Sequence, residues 1–256
     1  MAAPAGDPFE SWFSAVEARH LERLTFPEVR RGLQALSSLY VQRRGRLTAG
    51  AALDGAGKRA AFALFYAPLH FLLVRQIVRS LGAGGRPGTI LDLGSGTGAA
   101  GAAWALECDP HPRLLAIDRN PWAVSEARWN LRRLGLEGEA RRADLNLLHF
   151  RGRDEAILAA FTLNEIQPEE REALRPKMLA AARQGSDLLI IEPIARDVTP
   201  WWEDWSAAVR EQGGRNDEWR FRLPLPERLR LLDRAAKMDH SELTGRSLWM
   251  RGRVKA

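Results

Sequence analysis

The stretch LDLGSGTGAAG, residues 91–101, is an apolar run that ends at an acid and continues into three glycines at alternate positions. The apolar residues predict a buried strand, and the residues after the glycines predict a helix. Glycines at such a turn let the backbone approach a ligand closely, and the amino end of a helix favours negative charge. The stretch therefore predicts a ligand-binding turn in an α/β sheet.

Strand-like and helix-like segments alternate beyond a breaker cluster at residues 82–88. The predicted strands are residues 89–93, 114–118, 139–142, 155–161 and 187–192. The predicted helices are residues 97–107, 121–134, 168–184 and 200–212. This alternation predicts a parallel, doubly wound Rossmann-like sheet. Residues 219–223 and 246–252 resemble final strands around a helix at residues 226–236, in an order that the pattern does not give.

The part of the chain before the breaker cluster is predicted to be helical. From residue 7 to about residue 81 the apolar residues recur at helical spacing, and Pro27 marks the start of a new helix. We therefore divide the chain into an N-terminal helical extension, residues 1–85, and a Rossmann-like domain, residues 86–256.

Composition narrows the possible classes of function. Cys108 is the single cysteine, which excludes an intramolecular disulfide and a metal cluster held by several thiolates of this chain. The five histidines show no metal-ligand spacing. We find neither a signal peptide nor an apolar run near the ~20 residues that cross a bilayer. We therefore expect a cytoplasmic protein, with no membrane and no metal cluster among its partners.

The net charge of +6 favours a polyanionic partner such as nucleic acid. Almost all of this positive charge comes from arginine, a bias that a GC-rich genome would also produce. The denser arginine groups are spread along the chain, at residues 43–46, 132–133, 141–142 and 151–153. A solvated surface and an RNA-contacting surface both remain open.

The glycine turn also fits a dinucleotide-binding fingerprint. Read as Gly94, Gly96 and Ala99, it has the required spacing, and Asp118 follows at the distance of an acid that holds a ribose diol. Other acidic and polar residues favour a different cofactor. Asp144 comes after the third predicted strand, and Asn164 and Glu165 come after the fourth.

An ordered set of residues resembles the class I S-adenosylmethionine-dependent methyltransferases over about residues 89–194. The set consists of Asp92, Gly94, Gly96, Gly98, Asp118 and Asp144. The resemblance implies S-adenosylmethionine as the cofactor.

The same resemblance implies a role for each residue. Gly94 and Gly96 would lie against the methionine part of the cofactor, and Asp92 would order the loop and the ammonium end. Asp118 would accept hydrogen bonds from both ribose hydroxyls. Asp144 would accept one from the adenine amino group, with the backbone of Leu145 near the ring. For Asp118 a helix cap, and for Asp144 a simple turn, remain alternatives.

Asn164 and Glu165 are the candidate catalytic residues, because the end of the fourth strand borders the reactive methyl group in this fold. Glu165 would orient or deprotonate the acceptor, or would instead cap the helix that begins near Pro168. The Asn-Pro-Pro-aromatic motif of enzymes that methylate amino groups of nucleic acids is absent. Cys108 falls at the end of the first helix after the glycine turn, away from a position suited to attack on a pyrimidine.

Three further segments resemble the methyltransferase-like family associated with the mitochondrial small ribosomal subunit and its bacterial relatives. They are residues 59–81, the sequence LNEI at residues 163–166, and Ile191-Glu192-Pro193. The resemblance implies ribosomal RNA or the small ribosomal subunit as a partner. Members often carry a metal-binding cysteine cluster that residues 200–246 lack, so no metal role carries over.

Several aromatic positions have two interpretations each. Tyr66 and His70, one helical turn apart, would be core residues or would reach the cofactor. Trp201, Trp205 and Val209 share a helical face that is predicted to pack on the sheet, and Trp202 beside it would pack or would stack on a flat acceptor.

Three functions remain open at this point. The first is an RNA methyltransferase, with ribosomal RNA as the favoured substrate. The second is a small-molecule methyltransferase. The third alternative is a ribosome-assembly or RNA-binding protein that keeps the fold without catalysis.

Overall fold

The computed structural model describes residues 6–42 and 53–252. The helices within this part are α1 (Pro8–Leu21), α2 (Phe26–Gln42), α3 (Ala56–Ala61), α4 (Ala67–Leu81), α5 (Ala99–Ala105), α6 (Pro121–Arg133), α7 (Pro168–Arg183), α8 (Trp202–Glu211) and α9 (Glu227–Ala235). The strands are β1 (Thr89–Leu93), β2 (Arg113–Asp118), β3 (Gly138–Arg142), β4 (Glu155–Ala160), β5 (Asp187–Glu192), β6 (Arg215–Phe221) and β7 (Leu243–Met250). A π-helical turn at Phe62–Tyr66 joins α3 to α4.

The strands form one seven-stranded sheet in the order β3-β2-β1-β4-β5-β7-β6. Strands β1 to β5 are parallel, which confirms the Rossmann-like prediction. The last two strands, whose order the pattern did not give, make the sheet mixed, because β7 runs antiparallel to both β5 and β6. A hydrophobic pattern shows which residues are buried but does not show strand direction. At the sheet edge, β6 is only partly buried and gave a weak signal.

The strand order reverses at β1, and this reversal determines where the site lies. Strand β1 has β2 on one side and β4 on the other, so the connections after β1 and β4 leave in opposite directions. In open α/β sheets such a point creates a crevice at the carboxyl ends of the strands, where ligands bind.

The helices before β1 contribute to the same core as the sheet. Trp12 of α1 is fully buried, and its Nε1 donates a hydrogen bond to Asn130 Oδ1 on α6 at 2.8 Å. Leu33 of α2 and Phe71 of α4 belong to the same hydrophobic cluster as Leu158 of β4. These contacts fix α4 beside the sheet, where it forms one wall of the crevice.

Residues 56–81 form one continuous helical segment of 26 residues, and its most apolar 18-residue window has a mean hydropathy of 1.5. By length and composition this segment could cross a bilayer, which corrects the prediction that no apolar run approaches that length. Within the fold, 72% of its most apolar window is buried. Such burial is typical of the core helix of a globular domain.

Candidate functional site

The glycine turn after β1 has a backbone that other residues adopt only under strain. Gly94, Gly96 and Gly98 have φ angles of 62°, 53° and 76°. A Cβ atom on Gly94 would lie 2.3 Å from Cγ2 of Thr162, and one on Gly96 would lie 3.3 Å from Cζ of Phe62. The turn is therefore packed tightly between the loop after β4 and the π-helical segment.

Asp92 satisfies the amino end of α5. The N-cap residue Gly98 has no side chain, and Asp92 Oδ2 instead accepts a hydrogen bond from the Gly101 N–H at 3.1 Å. Burial raises the pKa of Asp92 to about 7. Since this helix terminus already has a carboxylate of the protein, a cationic ligand is favoured here over a pyrophosphate.

Asp118 at the end of β2 holds two backbone N–H groups. Its Oδ2 accepts from Gly96 at 2.8 Å and its Oδ1 accepts from Asn120 at 2.7 Å. Burial raises the pKa of this carboxyl group. The cap of α6 is Asn120, whose Oδ1 accepts from the first-turn N–H groups of the helix, so the structure does not support the alternative that Asp118 is that cap.

A cavity of about 1090 Å³ lies at the carboxyl edge of the sheet. Its wall contains most of the residues chosen from the sequence, namely Asp92, Gly94, Gly96, Asp118, Asp144, Leu145, Asn164 and Glu165. Gly98 is not on this wall; a Cβ atom there would meet Ala127 at 3.3 Å. Pockets for drug-sized ligands usually measure about 300–1,000 Å³, so this one can hold a cofactor and part of an acceptor together.

Asp144 serves a turn and also lines the cavity. Its Oδ1 accepts from the Asn146 N–H at 2.9 Å and caps the short 3₁₀ helix Leu145–Leu147. The turn interpretation is therefore confirmed, while the role toward the adenine stays a prediction.

Buried polar groups fix the loop after β4 through hydrogen bonds to its backbone and to the neighbouring strand. Thr162 Oγ1 donates to the Leu93 carbonyl at 2.8 Å. Glu192 Oε1, at the end of β5, accepts from the N–H groups of Leu163 at 2.8 Å and Asn164 at 3.2 Å. Arg171 of α7 donates to the Leu163 carbonyl at 3.3 Å. These bonds fix the backbone that carries the two candidate catalytic residues.

Glu192 is a functional residue that sequence reasoning missed. Its side chain is fully buried, and burial raises its pKa to about 8. The signal was an acid that ends an otherwise apolar strand, which we used only as part of a family resemblance. As for Glu165, the N-cap position of α7 is occupied by Gln167, so the structure does not support a capping role for Glu165.

Aromatic side chains line the part of the cavity next to α4. The His70 ring stacks on Phe161 with centroids 4.1 Å apart and an interplanar angle of 18°. Phe161 has a φ of 57°, a strained conformation for a bulky residue and one that clusters at functional sites. Burial lowers the pKa of His70 to about 3, so its imidazole is neutral at physiological pH. Tyr66 and His70 both line the cavity.

The tryptophan-rich segment, residues 201–209, packs against the sheet. Trp201, Trp205 and Val209 are buried in one cluster, as predicted. Trp202 is only 2% exposed, and the Arg246 guanidinium lies 4.3 Å from its ring centroid. The alternative in which Trp202 stacks on an acceptor is therefore wrong.

Two other kinds of chemistry find no support in the described ranges. Among residues 6–42 and 53–252, no group of three or more His, Cys, Asp or Glu side chains could hold a metal ion. Cys108 is buried, and this burial raises the pKa of its thiol to about 11. The thiol is therefore protonated at neutral pH and unsuited to nucleophilic attack.

The residues present fit S-adenosylmethionine. This cofactor carries a sulfonium and an ammonium group, and the cavity presents the carboxylates of Asp92 and Asp118 close together. Four polar atoms of residues on the wall are buried without a hydrogen-bond partner among the described residues: Ser95 Oγ, Thr97 Oγ1, Asn146 Oδ1 and Asn164 Oδ1. Such groups are expected where a ligand supplies the missing bonds.

Comparison with known proteins agrees with this fit. Residues 90–185 match the profile of a methyltransferase domain family. The mitomycin 7-O-methyltransferase MmcR is 16% identical, with a TM-score of 0.53 over 97% of this chain and 74% of that chain. PH1948 from Pyrococcus horikoshii, provisionally described as an RNA methyltransferase, is 15% identical, with a TM-score of 0.49 over 90% of this chain and 100% of that chain. No curated protein matches the sequence significantly.

These similarities concern different levels of description. At such low identity the likeness to MmcR shows the fold alone. The domain match covers the glycine turn and the strands on both sides of it, which contribute part of the cavity lining. The domain match and the shared fold indicate an S-adenosylmethionine-dependent methyltransferase, with S-adenosylmethionine as its cofactor.

Proposed function

We propose that this methyltransferase modifies a base in RNA, with the RNA of the small ribosomal subunit as the favoured substrate. The observation that carries the proposal is the part of the cavity lined by Phe62, Tyr66, His70 and Phe161, which we call the aromatic compartment. His70 is neutral and lies flat on Phe161, so the compartment offers planar, uncharged surfaces to a heterocyclic ring. Stacking of a base on an aromatic side chain contributes about 1–3 kcal/mol and suits bases taken out of a helix.

The cofactor supplies an activated methyl group, so the protein has mainly to hold and align the reactants. In this proposal Asp92 and Asp118 hold the cofactor. The buried Asn164 Oδ1 accepts a hydrogen bond from an amino group of the acceptor, and Glu165 orients it from the same loop. The Glu192 bonds described above keep this loop in place.

Charge gives independent support to an RNA acceptor. The chain has a net charge of +6, and Arg119 and Arg142 line the cavity. The arginine group at residues 43–46 belongs to the same sequence argument but lies outside the described residues. The resemblance to proteins associated with the small ribosomal subunit points the same way, and a cytoplasmic location, where bacterial ribosomes occur, is part of the proposal.

The direct test is transfer of labelled methyl groups from S-adenosylmethionine to small ribosomal subunits of a strain that lacks the gene. We expect label in the RNA of these subunits and little in subunits from the parent strain, where the site is already methylated. Mass spectrometry of ribosomal RNA from both strains should find the same modification missing. Label confined to compounds of low molecular weight would contradict the proposal.

One observation favours a small-molecule acceptor as the second candidate. The cavity wall near the loop after β4 carries the acidic side chains of Glu165, Glu170 and Asp197, which would repel phosphate groups. The same labelling experiment separates the two candidates by the fraction that carries the label. Binding of the cofactor and of subunits without any transfer would indicate the third alternative, an assembly factor without catalysis.

A further inference from the structure

His240 and Asp233 form a hydrogen-bonded pair beside the cavity. His240 follows α9, and its ring is part of the cavity wall. Its Nδ1 is hydrogen-bonded to Asp233 Oδ1, and its backbone N–H donates to Asp233 Oδ2 at 2.9 Å. Both carboxylate oxygens of Asp233 are thus used to fix one histidine.

This pairing determines which ring nitrogen can accept a proton. A carboxylate has only acceptors, so Nδ1 must carry the hydrogen, and the lone pair of the neutral ring is then on Nε2. The Asp233 side chain is 10% exposed and that of His240 is 31% exposed. No side chain in the described part of the chain hydrogen-bonds Nε2 of His240.

The ring of His240 lies beside aromatic residues of the helical segment before β1. It meets Phe65 edge-on, with centroids 5.3 Å apart, and it is close enough to His70 to lower the pKa of that residue. His70 in turn stacks on Phe161, immediately before the loop with Asn164 and Glu165. Of the two histidines on this wall, the buried His70 is a poor base, whereas His240 is partly exposed and has a carboxylate partner.

We propose that His240 is the general base that removes the proton from the acceptor, and that Asp233 is its positioning residue. The inference rests on the proposed function, because it requires an acceptor N–H or O–H. The acceptor atom forms a bond to the methyl carbon, and the carbon–sulfur bond breaks with its electron pair remaining on sulfur. The proton lost by the acceptor passes to Nε2 of His240 and then to solvent.

The first test needs no acceptor. Histidine-selective NMR of the whole protein should show His240 as the Nδ1–H tautomer, with that state lost in Asp233→Asn. An Nε2–H tautomer in the wild type would overturn the proposal. His111, whose Nδ1 lies 2.7 Å from the Cys108 carbonyl and which is not part of the cavity wall, is the matched control.

The second test measures catalysis. Labelled S-adenosylmethionine is incubated with an extract of the deletion strain, and label is counted separately in RNA and in the low-molecular-weight fraction. General bases contribute about 10²–10⁴-fold, so His240→Gln should lower kcat at least 100-fold with an unchanged Kd for S-adenosylhomocysteine. His111→Gln should behave as the wild type.

The pH profile separates a base from a merely structural residue. The titratable groups coupled to His240 are Asp233, Asp239 in the same loop and His70 from α4. The wild-type pH profile should contain an ionisation that is missing from the profile of His240→Gln, whereas the ionisations of Asp92 and Glu192 remain in both. A variant with the wild-type rate and profile overturns the assignment. Label in the low-molecular-weight fraction overturns only the RNA acceptor, because the effect of His240→Gln is read in either fraction.

Discussion

Asp118 already accepts hydrogen bonds from Gly96 and Asn120, yet a carboxylate has about four acceptor positions. The remaining positions are available to a ribose diol in the cavity. This residue therefore links the shape of the glycine turn to recognition of the cofactor, and it is the single site at which substitution should be most informative.

We expect Asp118→Ala to weaken binding of S-adenosylhomocysteine at least tenfold. Hydrogen bonds to a charged group contribute about 1.5–3 kcal/mol each, and about 1.4 kcal/mol corresponds to a factor of ten. Calorimetric titration measures the change, with Asp217→Ala as control because Asp217 pairs with Arg215 outside the cavity. An unchanged Kd together with an unchanged melting temperature would show that Asp118 is not a ligand-binding residue.

Glu192 gives a prediction about pH and stability. Its pKa rises from an ordinary 4.5 to about 8 on folding, so the unfolded chain releases this proton first as the pH increases. The stabilising contribution of Glu192 to the free energy of unfolding is fully present below about pH 4.5 and is lost as the pH rises toward 8. Glu192→Gln, which resembles the protonated form, should exceed the wild type in stability by about 4 kcal/mol at pH 8 and by about 1 kcal/mol at pH 5.

Denaturant unfolding at the two pH values checks this difference. A smaller slope with the same sign should remain in Glu192→Gln, because the pKa of Asp92 is also raised, to about 7. Equal stability differences at both pH values would mean that Glu192 is ionised throughout and that a cation compensates its charge.

At the scale of elements, the glycine turn combines two separate requirements. Gly94 needs a left-handed φ and also space, since a Cβ atom there would meet Thr162 at 2.3 Å. Gly135 has a similar φ of 67° but nothing within 4 Å of its would-be Cβ atom. A comparison of substitutions at Gly94 and Gly135 therefore separates the cost of backbone strain from the cost of steric contact.

We expect Gly135→Ala to cost about 1–2 kcal/mol in the free energy of unfolding, the usual penalty for a left-handed residue. Gly94→Ala should cost more and should also weaken cofactor binding at least tenfold, because the loop after β4 must move. Denaturant unfolding and calorimetric titration of both variants measure these effects. Equal losses of binding in the two variants would contradict a specific role for the turn.

The elements around the site were predictable because their local signals agree. The predicted strand at residues 89–93 matches β1, and that at residues 187–192 matches β5, since both are bounded by breakers and filled with apolar residues. The direction of β7 and the hydrogen bonds from the loop after β4 to Glu192 were not predictable. Both depend on contacts between segments distant in the chain, and no local pattern encodes them.

At the scale of the whole molecule, helices and sheet share one core, and the cavity collects residues from across the sequence. The lining of the cavity at the carboxyl ends of β1 and β2 was predictable from an ordered motif. The aromatic part of the cavity was not, because Phe161, His70 and His240 come together only in the fold. The Asp233–His240 pair has no recognisable sequence signal for the same reason.

The RNA proposal gives a prediction about salt. Affinity for ribosomal RNA should fall with a logarithmic slope of about −0.7 per neutralised phosphate, while cofactor affinity should barely change. Reversing the charges of Arg43, Arg44 and Arg46 should weaken RNA binding and leave cofactor binding intact. The same reversal at the exposed Arg86, Arg210 and Arg230 is the matched control. RNA binding that is absent or insensitive to salt in the wild type would favour a small-molecule acceptor.

We infer that the carboxylates at the glycine turn favour a cationic cofactor over a dinucleotide. Calorimetric titration of the wild-type protein with S-adenosylmethionine, S-adenosylhomocysteine and NAD tests it most directly. We expect saturable binding of the first two ligands and none of NAD, whose pyrophosphate would meet Asp92 at the amino end of α5. Tight binding of NAD, with no response to either S-adenosyl compound, would contradict the account.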